Sequence, residues 1–213
     1  MTCLAIDTTG ENCTAALRLS DGSERVLSDR IGRGHAERLA PMVEALLAET
    51  LTTPTSLSRI GVTVGPGSFA GTRVGAAFAR GLALACDADC IGISNLAVLA
   101  RQANSKGPLA VLHDAKRSEV IMQLWHNGVA RAPERLGVGD LPARIADLGG
   151  PECAVTGSGA HLLPPGFIDL GVSTIDPAMM LAMTGELDAR SNPPSPFYAR
   201  PPDAKLPGGV TPA

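Results

Sequence analysis

The chain has 213 residues, of which 45% are hydrophobic, 18% charged and only 3% aromatic. This composition excludes disorder over most of the chain and predicts a core of small aliphatic side chains and closely packed glycine. With 18 basic and 21 acidic residues the net charge is -3, so a nucleic-acid-binding surface spread over the whole chain is not expected.

The beginning of the chain, residues 1–7, has no basic region and reaches a carboxylate before any apolar segment of signal length. No apolar run approaches the roughly 18 residues that a membrane span needs. The five cysteines are odd in number and form no CxxC pair, which is typical of reduced thiols. These features predict a cytoplasmic protein without membrane contact.

The first predicted elements are three short strands, at 4–7, 15–19 and 25–27, that form a meander. An amphipathic helix follows from about 35 to 50, because apolar residues recur there at helical spacing. A buried strand is expected at 60–64.

Next comes a glycine-rich turn, Gly65–Gly67, and a second helix from Ser68 to about Cys86, with Ser68 as its N-cap. A short strand at 91–93 then leads to a helix at 95–102 that Ser94 caps. The turn-forming stretch 104–108 is the best candidate for a domain boundary.

Beyond it, the pattern predicts strands at 109–113, 119–125 and 154–156, a hairpin turn at Asn127–Gly128, and two helices. The helices begin near Leu141 and after Asp176–Pro177. Prolines crowd the end of the chain. The predicted division is therefore a first domain at 1–105, a smaller second domain at 106–190 and a proline-rich tail at 191–213.

Two strands, Leu4–Asp7 and Val111–Asp114, each end in an aspartate and lead through a turn into another strand. This similarity hints at an internal duplication. Two halves that each present a carboxylate at a strand end suit a cleft that holds magnesium and phosphates.

The turn at Asp7, Thr8 and Thr9 offers a carboxylate and two hydroxyls for phosphate or metal-bound water, and its alternative interpretation is a capped hairpin turn. Asp114 is the candidate facing carboxylate, but no glycine accompanies it, so a structural turn is favoured there. Gly157 and Gly159 follow a strand and would let the backbone approach a nucleotide base, although such turns are common.

The segment Gly65–Thr72 lies between a strand and a helix, where phosphate-binding loops lie, but its glycine spacing fits neither the Rossmann nor the P-loop motif. Close packing of helix on sheet is the favoured interpretation, with anion binding as the alternative. No nucleophile triad, HExxH motif or paired cysteine motif is visible, so neither a catalytic residue nor a metal or cofactor is assigned.

One set of motifs runs nearly from end to end of the chain: Leu4–Thr8, His35 with the helix after it, Gly65–Gly75, Gly81–Ala83, Asp114–Lys116 with Glu119–Val120, and Tyr198 with Arg200 and Pro202. Together these motifs resemble the bacterial TsaB (YeaZ) family. The resemblance implies an α/β fold of two-domain, actin-like type (ASKHA, ribonuclease H-like), with mixed sheets flanked by helices.

The resemblance also implies a non-catalytic dimerisation or scaffold subunit in N6-threonylcarbamoylation of adenosine 37, in tRNAs that read ANN codons. Its implied partners are the catalytic paralogue TsaD, with which it would form a heterodimer, and a TsaE-type ATPase. The resemblance also implies that the chain could form a homodimer when it is alone, and that it would bind tRNA only through the complex. The alternatives are a stand-alone actin-like ATP-dependent kinase or ATPase and a glycoprotease-type metallopeptidase.

The helix 68–86 is apolar on two faces, which predicts that one face packs on its own sheet and the other on another chain. The resemblance implies that this helix and the one before it pack against the two equivalent helices of TsaD, or of a second copy of the chain, in a four-helix bundle. The alternative is that the second domain or the tail covers this face. The predicted interface comprises Met42, Ala45, Leu46, Gly71, Val74, Gly75, Ala77, Phe78 and Gly81.

Overall fold

The computed structural model describes residues 1–198. Residues 199–213, which make up most of the predicted tail at 191–213, lie outside the described residues. Arg200 and Pro202 of the family motif lie there too.

A first sheet of five strands is built mainly from the beginning of the chain. Its strands are β1 (Thr2–Asp7), β2 (Asn12–Arg18), β3 (Glu24–Arg30), β4 (Leu57–Thr63) and β5 (Asp89–Ile93). The order across the sheet is β3-β2-β1-β4-β5. The first three strands pair antiparallel, which confirms the predicted meander, whereas β4 lies parallel to β1 and to β5.

Two long helices, α1 (His35–Glu49) and α2 (Phe69–Cys86), cover one face of this sheet. Ser68 caps α2 as predicted, since its side chain accepts a hydrogen bond from the amide of Gly71 at 3.2 Å. The largest core cluster lies between the sheet and these helices, and Leu4 and Ile6 of β1 point into it.

A second five-stranded sheet follows helix α3 (Asn95–Ala103). Its strands are β6 (Leu109–Lys116), β7 (Glu119–His126), β8 (Val129–Ala130), β9 (Glu134–Gly137) and β10 (Ala154–Thr156). The order is β10-β6-β7-β8, and β9 also pairs with β7. The predictions missed β9, because a four-residue strand with two charged residues and a terminal glycine shows no strand pattern.

Helices lie on both faces of the second sheet. Helix α4 (Leu141–Gly149) packs on one face through Leu141 and Ile145, and α3 packs on the other through Leu96 and Leu99. Among these five strands the β10–β6 pair is parallel, whereas β6 with β7, β7 with β8 and β7 with β9 pair antiparallel. Two mixed sheets flanked by helices confirm the predicted fold class.

The last helix, α5 (Pro177–Glu186), returns to the first sheet. Its Met180 and Leu181 pack against Cys3 and Ala5, on the face of β1 opposite to α1 and α2. The predicted division at 105 and 190 stays a prediction. Helix α5 falls within 106–190 and packs on the first sheet, because that sheet has a second apolar face to bury. We call the first sheet with α1, α2 and α5 the first lobe, and the second sheet with α4 the second lobe.

Among residues 1–198, no helix combines the length and the apolar character that a membrane crossing requires. The five cysteines, all within this range, are free thiols. Burial raises the pKa of the Cys13 and Cys90 thiols to about 11.

Candidate functional site

The turn after β1 is held together by the carboxylate of Asp7. Its Oδ1 atom accepts hydrogen bonds from the Thr9 amide at 2.9 Å, the Thr9 hydroxyl at 2.6 Å and the Thr63 hydroxyl at 2.6 Å. Asp7 is only 7% exposed, and Thr8 and Thr9 are buried as well. The carboxylate therefore serves as the acceptor at the centre of a capped turn. Of the two interpretations offered by the sequence, phosphate binding and a capped hairpin turn, this geometry favours the second.

Asn95, the first residue of α3, fastens this turn to the glycine-rich segment. Its side-chain amide donates to the Thr9 hydroxyl at 2.6 Å, and its side-chain oxygen accepts from the amide of Gly65 at 3.0 Å. The Asn95 amide in turn donates to the Gly65 carbonyl at 2.9 Å. One buried side chain thus joins the ends of three strands, β1, β4 and β5.

Glycines in and before α2 bring that helix against the same turn. A Cβ atom on Gly71 would lie 1.9 Å from the Thr8 carbonyl oxygen, and one on Gly75 would lie 2.4 Å from the Thr8 hydroxyl. At Gly67 it would lie 2.5 Å from the Thr9 carbonyl oxygen. The glycine motif therefore permits close packing of helix on turn, as favoured from the sequence, and α2 occupies the space beside Asp7–Thr9.

The second aspartate turn, at the end of β6, is more open. Asp114 is half-buried, accepts hydrogen bonds from the Lys116 amide at 2.8 Å and forms an ion pair with the Lys116 ammonium at 2.6 Å. Burial opposes ionisation of Asp114, but the hydrogen bonds from Lys116 outweigh it and lower the pKa of the carboxyl group. Arg117 and Ser118 both have positive φ, as in a two-residue hairpin turn. The structural turn favoured from the sequence is present.

The loop Gly157–Gly159 packs against the end of β6. Gly157 has a φ of +100°, and a Cβ there would lie 2.2 Å from the Leu112 carbonyl oxygen. The Ser158 hydroxyl accepts from the Asp114 amide at 3.1 Å and lies 3.4 Å from Nδ1 of His113. The predicted residues Asp114, Gly157 and Gly159 are therefore neighbours, and the loop is fitted to the backbone of its own sheet.

A polar cavity of about 390 Å³ opens beside this loop. Its lining residues are Gly157, Ser158, His161, Asp169, Gly171 and Ser173. Burial lowers the pKa of the neighbouring His113, an effect that the charge of Asp114 partly offsets. Within residues 1–198, no cluster of three or more His, Cys, Asp or Glu side chains has a geometry that would hold a metal ion.

The predicted partner interface divides into buried and exposed residues. Met42 and Leu46 of α1 are fully buried in the first core cluster, and Gly71 and Gly75 of α2 are buried against the Asp7 turn. Each of these four residues packs against its own chain, so the accessible part of the predicted interface lies in its other residues. The face of α1 that the first sheet covers is wider than the sequence pattern indicated.

The other predicted interface residues remain accessible. Ala45, Ala77 and Gly81 are exposed, whereas Val74 and Phe78 are half-buried and pack at the edge of the first core cluster. Two large aliphatic side chains are also exposed, Leu84 near the end of α2 at 87% and Leu51 just after α1 at 93%.

Several residues that organise these sites were missed in the sequence analysis. Asn95 and Thr63 complete the Asp7 turn, and a polar residue directly after the Ser94 cap was the available signal for Asn95. Arg73 packs against the rings of Phe69 and Tyr198. The joint position of the three side chains depends on tertiary structure, and no local pattern signals it.

A family model described as "TsaD: tRNA N6-adenosine threonylcarbamoyltransferase" matches residues 26–153. The tRNA threonylcarbamoyladenosine biosynthesis protein TsaB of Escherichia coli is 39% identical over 123 residues, covering 56% of this chain and 53% of that protein. The chain thus aligns with about half the length of this curated relative.

Other similarities extend over nearly the whole chain. An uncharacterized protein of Mycobacterium tuberculosis is 34% identical over 209 residues, covering 96% of this chain and 94% of that protein. The solved structure of YeaZ from Pseudomonas aeruginosa is similar with a TM-score of 0.73 and 27% identity, covering 92% of this chain and 99% of that chain.

Proposed function

The chain belongs to the TsaB (YeaZ) family, and from this premise we propose that it is a non-catalytic subunit supporting a TsaD-type paralogue. The reaction is transfer of threonylcarbamoyl to N6 of adenosine 37 in tRNAs that read ANN codons. In this proposal the assembly works in the cytoplasm and includes a TsaE-type ATPase, and tRNA binds only through the complex.

The observation that carries the non-catalytic role is the closure of the Asp7 turn. An actin-like enzyme needs free backbone amides and a free carboxylate to hold phosphates and a metal ion at such a turn. Here the carboxylate accepts three hydrogen bonds from its own lobe, and the glycines of α2 bring the helix against the turn. The turn is built to stabilise the lobe, which favours a supporting subunit.

The outer faces of α1 and α2 support the docking role. Ala77 and Gly81 are exposed one turn apart on α2, Leu84 follows, and Ala45 is exposed on α1. Small side chains at this spacing allow another pair of helices to approach closely, and an exposed leucine gains free energy when a partner buries it. We therefore assign this face to the paralogue, with self-association through the same face when the chain is alone.

The test combines binding and activity in a reconstituted system. Ala77→Arg places a charge in the proposed interface, so we expect it to weaken paralogue binding by about 2 kcal/mol or more and to lower threonylcarbamoyl transfer. Ala130→Arg is the matched control, because Ala130 is equally small and exposed but lies on β8 of the second lobe. Gly75→Arg is unsuitable, since Gly75 packs against Thr8 and the change would disturb folding.

The same preparation separates this proposal from the two alternatives. We expect the isolated chain to hydrolyse neither ATP nor peptide, and to bind tRNA weakly. Hydrolysis that disappears in Asp7→Ala would instead establish an enzyme. Unchanged paralogue binding by a folded Ala77→Arg variant would show that the proposed face is wrong.

A further inference from the structure

The segment after α5 returns along the first lobe in a defined path. The Gly92 amide donates to the Asn192 carbonyl at 2.8 Å, and the Phe197 amide donates to the Val64 carbonyl at 2.7 Å. A Cβ atom on Gly92 would lie 2.4 Å from the Pro193 carbonyl oxygen. We call residues 192–198 the C-terminal strap, because they cross the ends of β4 and β5 in close contact with the backbone.

The strap ends in a cluster of two aromatic rings and one guanidinium group at the start of α2. The rings of Tyr198 and Phe69 have centroids 5.4 Å apart. The guanidinium carbon of Arg73 lies 3.8 Å from the Phe69 centroid and 5.3 Å from the Tyr198 centroid. Arg73 Nε also donates to the Tyr198 hydroxyl at 3.0 Å. Both rings attract the cation, and the hydroxyl fixes its rotation.

This arrangement uses Arg73 Nε and leaves the two Nη atoms available. Within residues 1–198, neither Nη atom has a hydrogen bond or ion pair, and Arg73 is exposed. Helix α2 carries no acidic residue between Phe69 and Cys86, and its only other charged residue is the exposed Arg80. A guanidinium group held in place binds a carboxylate in two-pronged geometry with little further loss of side-chain freedom.

Resting on the proposed docking of a TsaD-type paralogue on this face, we propose that the C-terminal strap positions Arg73 to bind a carboxylate of that paralogue. Arg73 makes the contact and Tyr198 is a positioning residue. The positive, acid-free outer face of α2 matches an acidic side chain in charge. A second copy of this chain would also offer carboxylates, at the exposed Glu44 and Glu49 of α1, and the experiment separates the two occupants.

The experiment measures the affinity of the full chain for the purified paralogue by calorimetry. We expect Arg73→Ala to weaken binding about tenfold or more, and Tyr198→Phe, which removes only the hydroxyl, about threefold. Arg80→Ala is the matched control: it removes the same charge from the same helix, but no aromatic ring of residues 1–198 stacks on Arg80, so a smaller loss is expected.

A double-mutant cycle distinguishes positioning from a general structural effect. If Tyr198 acts through Arg73, Tyr198→Phe changes affinity in the wild-type background but not in the Arg73→Ala background. Equal weakening in both backgrounds would overturn the positioning role. Thermal unfolding of each variant checks that the lobe stays folded.

Two further outcomes would overturn the inference. One is wild-type affinity for the paralogue in a folded Arg73→Ala variant. The other is an Arg73→Ala variant that loses only self-association, which would assign the carboxylate to a second copy. Ala77→Arg is measured alongside. If it weakens binding while Arg73→Ala leaves the affinity unchanged, this inference fails and the proposed function stands, whereas unaffected binding by Ala77→Arg refutes the docking face itself.

Discussion

The two aspartate turns occupy equivalent positions in the two sheets but differ in what surrounds them. Asp7 is buried and accepts from Thr9 and Thr63, with α2 packed against the turn. Asp114 is half-buried and pairs with the exposed Lys116, and its amide donates to Ser158, which lines a cavity of about 390 Å³. The difference shows that a strand ending in aspartate does not define a site: the donors around the carboxylate and the neighbouring glycines decide whether the turn is closed or open.

The largest expected effect comes from adding one methyl group beside the closed turn. We expect Gly71→Ala to lower the free energy of unfolding by about 3 kcal/mol, because its Cβ would overlap a backbone carbonyl that cannot move away easily. Gly81→Ala in the same helix has no atom within 4 Å of the added Cβ, and there we expect no loss or a gain of up to about 1 kcal/mol. Urea unfolding measures both. Equal stability of the two variants would contradict the closed turn.

A smaller effect is expected from removing each carboxylate. Asp7→Ala leaves the Thr9 amide, the Thr9 hydroxyl and the Thr63 hydroxyl without their acceptor, so we expect a loss of about 2–3 kcal/mol. Asp114→Ala breaks an ion pair whose lysine is exposed, so we expect a loss below about 1 kcal/mol. The comparison between the turns fails if Asp114→Ala proves the more destabilising change in urea.

The smallest effect is a pH dependence from the second lobe. Burial lowers the pKa of His113 below its ordinary 6.5, so the unfolded chain takes up the proton at a higher pH than the folded chain does. Stability contributed by the neutral imidazole is complete above pH 6.5 and declines as the pH falls through 6.5 towards the folded pKa. We expect the free energy of unfolding to fall more steeply between pH 7 and pH 5 in the wild type than in His113→Gln. Parallel pH profiles would contradict this.

Much of the fold could be predicted because its signals are local. The caps Ser68, Ser94 and Asp176, the meander and the second hairpin follow from residues close together in the chain, and the structure confirms them. The matching positions of Asp7 and Asp114 were also visible in the sequence.

Other features depend on contacts between distant segments, which no periodicity encodes. The spacing of Gly71 and Gly75 indicates a close approach, but it does not say whether the approaching group is another chain or Thr8 of the same lobe. Likewise, the apolar pattern of α1 does not reveal how far round the helix the sheet reaches, so the burial of Met42 and Leu46 within their own lobe was not visible in the sequence. The cluster of Phe69, Arg73 and Tyr198 joins segments more than 120 residues apart in the chain.

The return of α5 to the first sheet sets an order of events during synthesis on the ribosome. Cys3 and Ala5 emerge first, but Met180 and Leu181, which cover them, emerge only when most of the chain has been made. The first lobe therefore cannot complete its core as an early, independent unit in the way that N-terminal domains often do. Until α5 arrives, one face of the first sheet stays exposed, so a truncated translation product of this chain would present an apolar surface to chaperones and proteases.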